Sequence, residues 1–122
     1  MKKHTISHVP DQADLAAVTD TFRALSDPTR VRIVLLLAAG ERTVGQLVEA
    51  IGSPQSTVSR HLSVLRSTHL VAARRQGTWV RYEISDAHVG DMVAEAFFHA
   101  EHKRRGLPGH LTSPHGGSSG GR

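Results

Sequence analysis

There is no cysteine in this 122-residue chain, which excludes disulfides, thiolate metal ligands and cysteine-based redox sensing. Any metal it binds must be held by nitrogen and oxygen. Long apolar runs are missing as well. The longest, Ile33 to Ala39, is far short of the roughly 20 residues that span a bilayer. The opening MKKHTISHVPDQ carries two lysines with no apolar stretch of signal-peptide length behind them. A cytoplasmic location without membrane contact is the expectation. No internal repeat is visible, and 122 residues make one domain with a modest core rather than a deep enclosed cleft. A partner subunit would extend that core.

The charge balance is basic. With 15 Lys and Arg against 11 Asp and Glu and a pI near 10.3, the chain favours a polyanionic partner, although sign alone is weak evidence. Residues 1–11 lack periodicity and read as a flexible arm. Residues 106–122, which end in the Gly- and Ser-rich LTSPHGGSSGGR, read as a flexible tail containing histidines. Residues 12–105 between them form the structured domain.

Within that domain, Leu15, Val18, Phe22 and Leu25 have the three-and-four spacing of an amphipathic helix over Ala13 to Leu25. Ser26, Asp27 and Pro28 restart the chain with cap candidates and a first-turn proline, ahead of a helix rich in Val, Ile and Leu that stops near Gly40. Thr43 caps a short helix through Val44, Leu47, Val48 and Ile51, which Gly52 ends. Ser53 and Pro54 begin another, through Val58, Leu62 and Leu65. Two short helices joined by a tight turn make a helix-turn-helix. The second presents Gln55, Ser56, Thr57, Ser59, Arg60 and His61 as a polar face able to donate to phosphates and to read base edges of double-stranded DNA. A polar face that is merely solvated is the alternative.

Leu70 to Ala73 and Trp79 to Ile84 are β-prone runs on either side of Arg74-Arg75-Gln76-Gly77-Thr78, with a glycine where a hairpin needs positive φ. This hairpin reads as a wing whose Arg74, Arg75 and Arg81 lie along the DNA backbone and fix orientation. Ser85 or Asp86 then caps a last helix whose Val89, Met92, Val93, Ala96 and Phe97 form a stripe for burial against a partner helix. The fold expected is mainly α with a small β-hairpin wing, a winged helix-turn-helix.

The last helix also carries Asp86, His88, His99 and His102, spaced D-x-H-x10-H-x2-H. From His88 to His99 is about three helical turns, so these side chains share one face but span about 16 Å along the axis. One ion cannot bridge that distance, because donors on a first-row metal lie about 2.0 to 2.2 Å from it. If a second copy of the helix runs antiparallel, Asp86 and His88 of one chain meet His99 and His102 of the other. A two-fold dimer then contains two equivalent four-ligand sites. An Asp86 that only caps, with solvated histidines, remains the alternative.

Several stretches in this order resemble the ArsR/SmtB family of metal-responsive winged-helix repressors, over roughly residues 13–103. LSDPTRVRIVLLL looks like the family's helix before the reading head, STVSRHLSVLRSTHLV resembles its recognition helix and RRQGTWVRYEI resembles its wing. The resemblance implies a homodimer, joined through its N- and C-terminal helices, that holds operator DNA without metal and releases it when an ion occupies the paired C-terminal helices. It also implies an allosteric relay. In zinc sensors of this type one ligating histidine, His99 by position, hydrogen-bonds toward the residue just after the recognition helix, here His69. The family's cysteine motif for soft metals is absent from LLLAAGER.

Four nitrogen and oxygen ligands suit Zn(II), whereas Ni(II) and Co(II) favour additional donors. Glu101 adjoins His102, and AEHKRRGLPGH resembles nickel and cobalt sensors whose ligands match His88, Glu101, His102 and His110. His4, His8 and His115 are further candidates. Sequence leaves zinc open and leans to nickel or cobalt. A winged-helix regulator without metal-driven release, or one that activates with a partner protein, is the main alternative. An enzyme is not expected. A metal-dependent hydrolase needs an open coordination position and a base near bound water, and only Glu95 and Glu101 lie nearby, with no evident substrate pocket.

Overall fold

The computed structural model describes residues 5–6 and 8–106. Five helices and three short strands follow in the order α1 (Gln12–Ala24), α2 (Pro28–Ala38), β1 (Arg42–Thr43), α3 (Val44–Ile51), α4 (Gln55–Ser67), β2 (Val71–Gln76), β3 (Trp79–Ile84) and α5 (Ala87–Arg105). The chain is a winged helix-turn-helix, with α3 and α4 as the helix pair and β2 and β3 as the wing.

Local chemistry accounts for the helix ends. Asp27 accepts the Arg30 amide at 3.1 Å, and Pro28 occupies the first turn of α2. Thr43 and Gln46 exchange hydrogen bonds in a capping box at the start of α3. Gly52, at φ 83°, closes the same helix in the left-handed region. The α4 start has no side-chain cap, only the extended Pro54. At its end, Leu70 donates its amide to the Leu65 carbonyl at 2.9 Å and His69 donates to Arg66 at 3.0 Å. That is the Schellman pattern, with His69 at φ 61° where glycine is usual. Leu70 and Leu65 are both buried, completing the motif's apolar contact.

Ile33, Val34 and Leu37 of α2 pack with Leu47 of α3 and with Val58, Leu62 and Leu65 of α4 to form the core. The N-terminal half of α5 closes it with Val89 and Val93. Gly90 allows the approach, since a Cβ there would lie 3.1 Å from the Ala38 Cβ and 3.3 Å from the Ile84 Cδ1.

Two features differ from the sequence expectation. Strand β1 was not anticipated; it has two residues, and it forms because Arg42 and Thr43 pair with Tyr82 and Arg81 on the open edge of β3. The wing turn is tighter than expected. Arg74, Arg75 and Gln76 belong to β2 and pair with Arg81, Val80 and Trp79, leaving a turn of Gly77 and Thr78 with Gly77 at φ 63°. The apolar stripe of α1 forms but is not covered by its own chain: Phe22 is 61% exposed, and Leu15 and Val18 are exposed beside it. Phe97 and Phe98 of α5 are likewise 55% and 58% exposed. Among the described residues, no helix is long and apolar enough to cross a membrane.

Candidate functional site

Helix α4 turns Gln55, Ser56, Ser59 and Arg60 to solvent and leaves Thr57 half-buried. His61 is a correction. It points inward, at 9% exposure, and is the one buried polar side chain among the described residues. The spacing contained this result: positions 58, 61, 62 and 65 complete the i, i+3, i+4, i+7 stripe of a buried face. Polarity alone would turn His61 outward, but its place in that stripe puts it inside. In its stead, Arg66 and Ser63 extend the exposed face, one helical repeat of seven beyond Ser59 and Ser56.

In the wing, Arg74 forms ion pairs with Glu41, by a short contact, and with Glu83 at 3.9 Å. A phosphate would have to compete with those carboxylates for it. Arg81 donates to the Gln76 side chain at 3.2 Å. Arg75 projects from the opposite face of the hairpin, exposed, and engages no acidic side chain among the described residues. Arg75 is therefore the wing cation best placed for a phosphate.

On α5, Asp86 does cap the helix. Its Oδ1 accepts the amides of His88 at 2.9 Å and Val89 at 3.3 Å. The same oxygen lies 3.7 Å from His88 Nδ1, so two of the metal-ligand candidates are already side by side while one carboxylate oxygen serves as the cap. His99 and His102 lie one turn apart near the other end of α5. His102 Nδ1 is 3.2 Å from the Phe98 carbonyl; a proton donated there leaves Nε2 as the ring's metal-binding atom. Glu101 pairs with Arg105 at 3.3 Å. Among the described residues of one chain, no three His, Asp or Glu side chains converge as an ion would require. The pairs Asp86 with His88 and His99 with His102 stand apart, as the helical spacing dictates. His8 is exposed, and His4, His110 and His115 lie outside the described residues. His69 is exposed directly after α4, on its left-handed backbone.

Between α1 and α5 runs an apolar groove of about 310 Å³ lined by residues that include Phe22, Leu25, Met92, Ala96 and Phe97. Its α5 lining lies between the two donor pairs, Asp86 with His88 and His99 with His102.

Comparison with known proteins fits this architecture. The family model described as "Bacterial regulatory protein, arsR family" matches residues 27–73, from the start of α2 into β2. The HTH-type transcriptional regulator KmtR of Mycobacterium tuberculosis is 41% identical over 102 residues, covering 84% of this chain and 78% of that protein. The chain belongs to the ArsR family. A second relative, the HTH-type transcriptional regulator NmtR of the same organism, is 41% identical over 97 residues, covering 80% of this chain and 81% of that one. Among solved structures, the homodimeric winged helix-turn-helix DNA-binding domain of a possible ArsR-family transcriptional regulator from Mycobacterium bovis superposes with a TM-score of 0.75. Identity there is 32%, covering 87% of this chain and 100% of the other. ArsR proteins are DNA-binding transcriptional regulators rather than enzymes, and α4 with the wing is the part of the fold suited to that task.

Proposed function

We propose that this ArsR protein is a metal-responsive repressor. As a metal-free homodimer it holds operator DNA through α4 and the wing, and it releases the DNA when Ni(II) or Co(II), with Zn(II) as the other candidate, occupies the paired α5 helices. The observation that carries this reading is the placement of the donors. Asp86, His88, His99 and His102 lie on a helix that also exposes Phe97 and Phe98, so the ligands border an apolar face that lacks a cover.

The donor chemistry fits these ions: imidazole and carboxylate suit nickel, cobalt and zinc, and no thiol is present to draw a softer metal. Glu101 beside His102 gives an oxygen donor beyond the four, which favours nickel or cobalt over zinc, with His110 as a further ligand in this reading. When bound, the ion supplies a cross-link between the α5 helices of two chains. The ligating side chains then favour a dimer conformer whose α4 helices fit the operator poorly, and the population shifts away from DNA. His99, acting toward His69 at the end of α4, is the route by which the ligands reach the reading head. Linkage requires that DNA weaken ion binding by the same factor.

Fluorescence anisotropy tests the reading, with a labelled duplex from the DNA upstream of the chain's own coding sequence. Metal-free protein should bind, and added Ni(II) or Co(II) should release it. His88→Ala and His99→Ala should keep metal-free affinity near that of the wild type while abolishing release. Weak, octahedral-type Co(II) absorption bands would support nickel or cobalt, whereas intense tetrahedral bands with Zn(II) as the strongest effector would favour zinc. If no ion changes DNA affinity, sensing is lost as a function and the regulator has another trigger.

A further inference from the structure

His61 is buried, and its ring is held on one side by a hydrogen bond while a carboxylate lies near the other. Its Nδ1 lies 3.1 Å from the Arg30 NH1. A guanidinium has no lone pair to offer, so Nδ1 is the acceptor and the ring proton sits on Nε2. That nitrogen faces Asp27 Oδ2 at 3.9 Å. Arg30 makes a second bond: its Nε donates to the Ala24 carbonyl at 2.5 Å, one of the carbonyls that the end of α1 leaves without a helical partner. Its own amide donates to Asp27 Oδ2 at 3.1 Å. One planar side chain thus spans the end of α1, the first turn of α2 and the inner face of α4.

We propose that Arg30 and His61 are positioning residues for DNA binding, a buried strut that sets α4 at its reading angle against the end of α1. This rests on the reading of α4 as the DNA-reading helix. The core itself does not need the strut. Val58, Leu62 and Leu65 already fill the inner stripe of α4, and an apolar side chain at position 61 would be buried with no polar atom to satisfy. What a polar pair adds is direction, because its bonds are satisfied at one relative placement of the helices while apolar contacts tolerate sliding. Helix α1 carries the uncovered face with Phe22. Through Arg30, whatever covers that face is tied to the orientation of the reading helix.

The test uses the full chain, metal-free, with the same upstream duplex. Arg60→Ala, which alters only the exposed face of α4, serves as the control for the reading itself. His61→Leu is expected to stay folded with a modest loss of urea resistance, since Arg30 loses one acceptor but keeps its bond to the Ala24 carbonyl, yet to lose tenfold or more in DNA affinity. Amide exchange over residues 22–26 should quicken in the same variant. His61→Asn, whose side-chain oxygen can stand where Nδ1 stands, should recover affinity to within about threefold of the wild type. Should His61→Leu not fold, Arg30→Lys decides. It retains the charge but cannot reach Ala24 and His61 together, so it should lose affinity in the same way. Affinity within twofold of wild type for His61→Leu, or for Arg30→Lys where that variant decides, overturns the strut, given that Arg60→Ala weakens binding. If Arg60→Ala has no effect, the reading of α4 fails and the strut falls with it.

Discussion

At position 69 the backbone turns left-handed, φ 61°, so that α4 can end in a Schellman motif, and a side chain in that region costs about 1 to 2 kcal/mol relative to the ordinary conformations. Glycine removes most of that cost. His69→Gly is expected to raise stability by about 1 kcal/mol in urea unfolding. If the relay runs through the His69 side chain, the same variant should bind DNA but respond weakly to metal. A response of full size would place the contact on the backbone carbonyl instead. Asp27 is a second residue with a specific consequence. Burial pushes its carboxyl up, but the Arg30 amide, the neighbouring His61 and Arg30 and the Thr29 amide outweigh it and hold the group below its ordinary 3.8. A carboxylate so lowered stabilises the fold fully above its unfolded value, and that stability is lost as pH falls below 3.8 toward the folded-state value. Urea midpoints of the wild type should drop across that acid window. Asp27→Asn retains a cap but loses the charge, so its midpoints should be lower above the window and should fall less within it.

Among the elements, the wing divides its cations by what already holds them. Arg75→Ala is expected to reduce the slope of log affinity against log salt by about 1, because one phosphate contact is lost. Arg74→Ala, whose guanidinium lies between Glu41 and Glu83, should change the slope by less. Equal changes for the two would mean that Arg74 leaves its carboxylates when DNA arrives. The elements also differ in how far sequence alone reveals them. Starts and stops governed by neighbours in sequence were legible, as with Asp27 and Pro28 on α2, Thr43 and Gly52 on α3 and Gly77 in the turn. Strand β1 was not, because two residues are too few for alternation and the pairing depends on an edge some forty residues away. In the reading helix, Gln55, Ser56, Ser59 and Arg60 followed from periodicity, and His61 was misplaced only because residue type displaced it. The α5 donors were legible as a pattern, and so was their separation within one chain, since one helix holds the two pairs at opposite ends.

For the molecule as a whole, the uncovered face of α1 and α5 is the surface on which the proposed dimer pairs. Phe22 and Phe97 line one groove, and a charge placed there should prevent pairing. Sedimentation should give the wild type a mass of twice 13.2 kDa and Phe22→Asp a mass of 13.2 kDa. The variant should also bind the upstream duplex more weakly, since two half-sites are no longer engaged together. A wild type that sediments as a single chain would remove the paired-helix site. Helix α5 has one further consequence. Val89, Gly90 and Val93 fasten its first turns to the core, whereas residues 94 to 100 are all exposed, so the helix is a cantilever with Gly90 near its root. His102 lies about 18 Å along the axis from that root, and a tilt of about 10° there moves it by about 3 Å, more than the length of a metal–ligand bond. The chain's own packing therefore leaves the tip of the beam unclamped. In the proposed site, whatever α5 rests against sets how far His99 and His102 stand from Asp86 and His88 of the other chain, so the choice of ion becomes a property of the pairing rather than of the single fold.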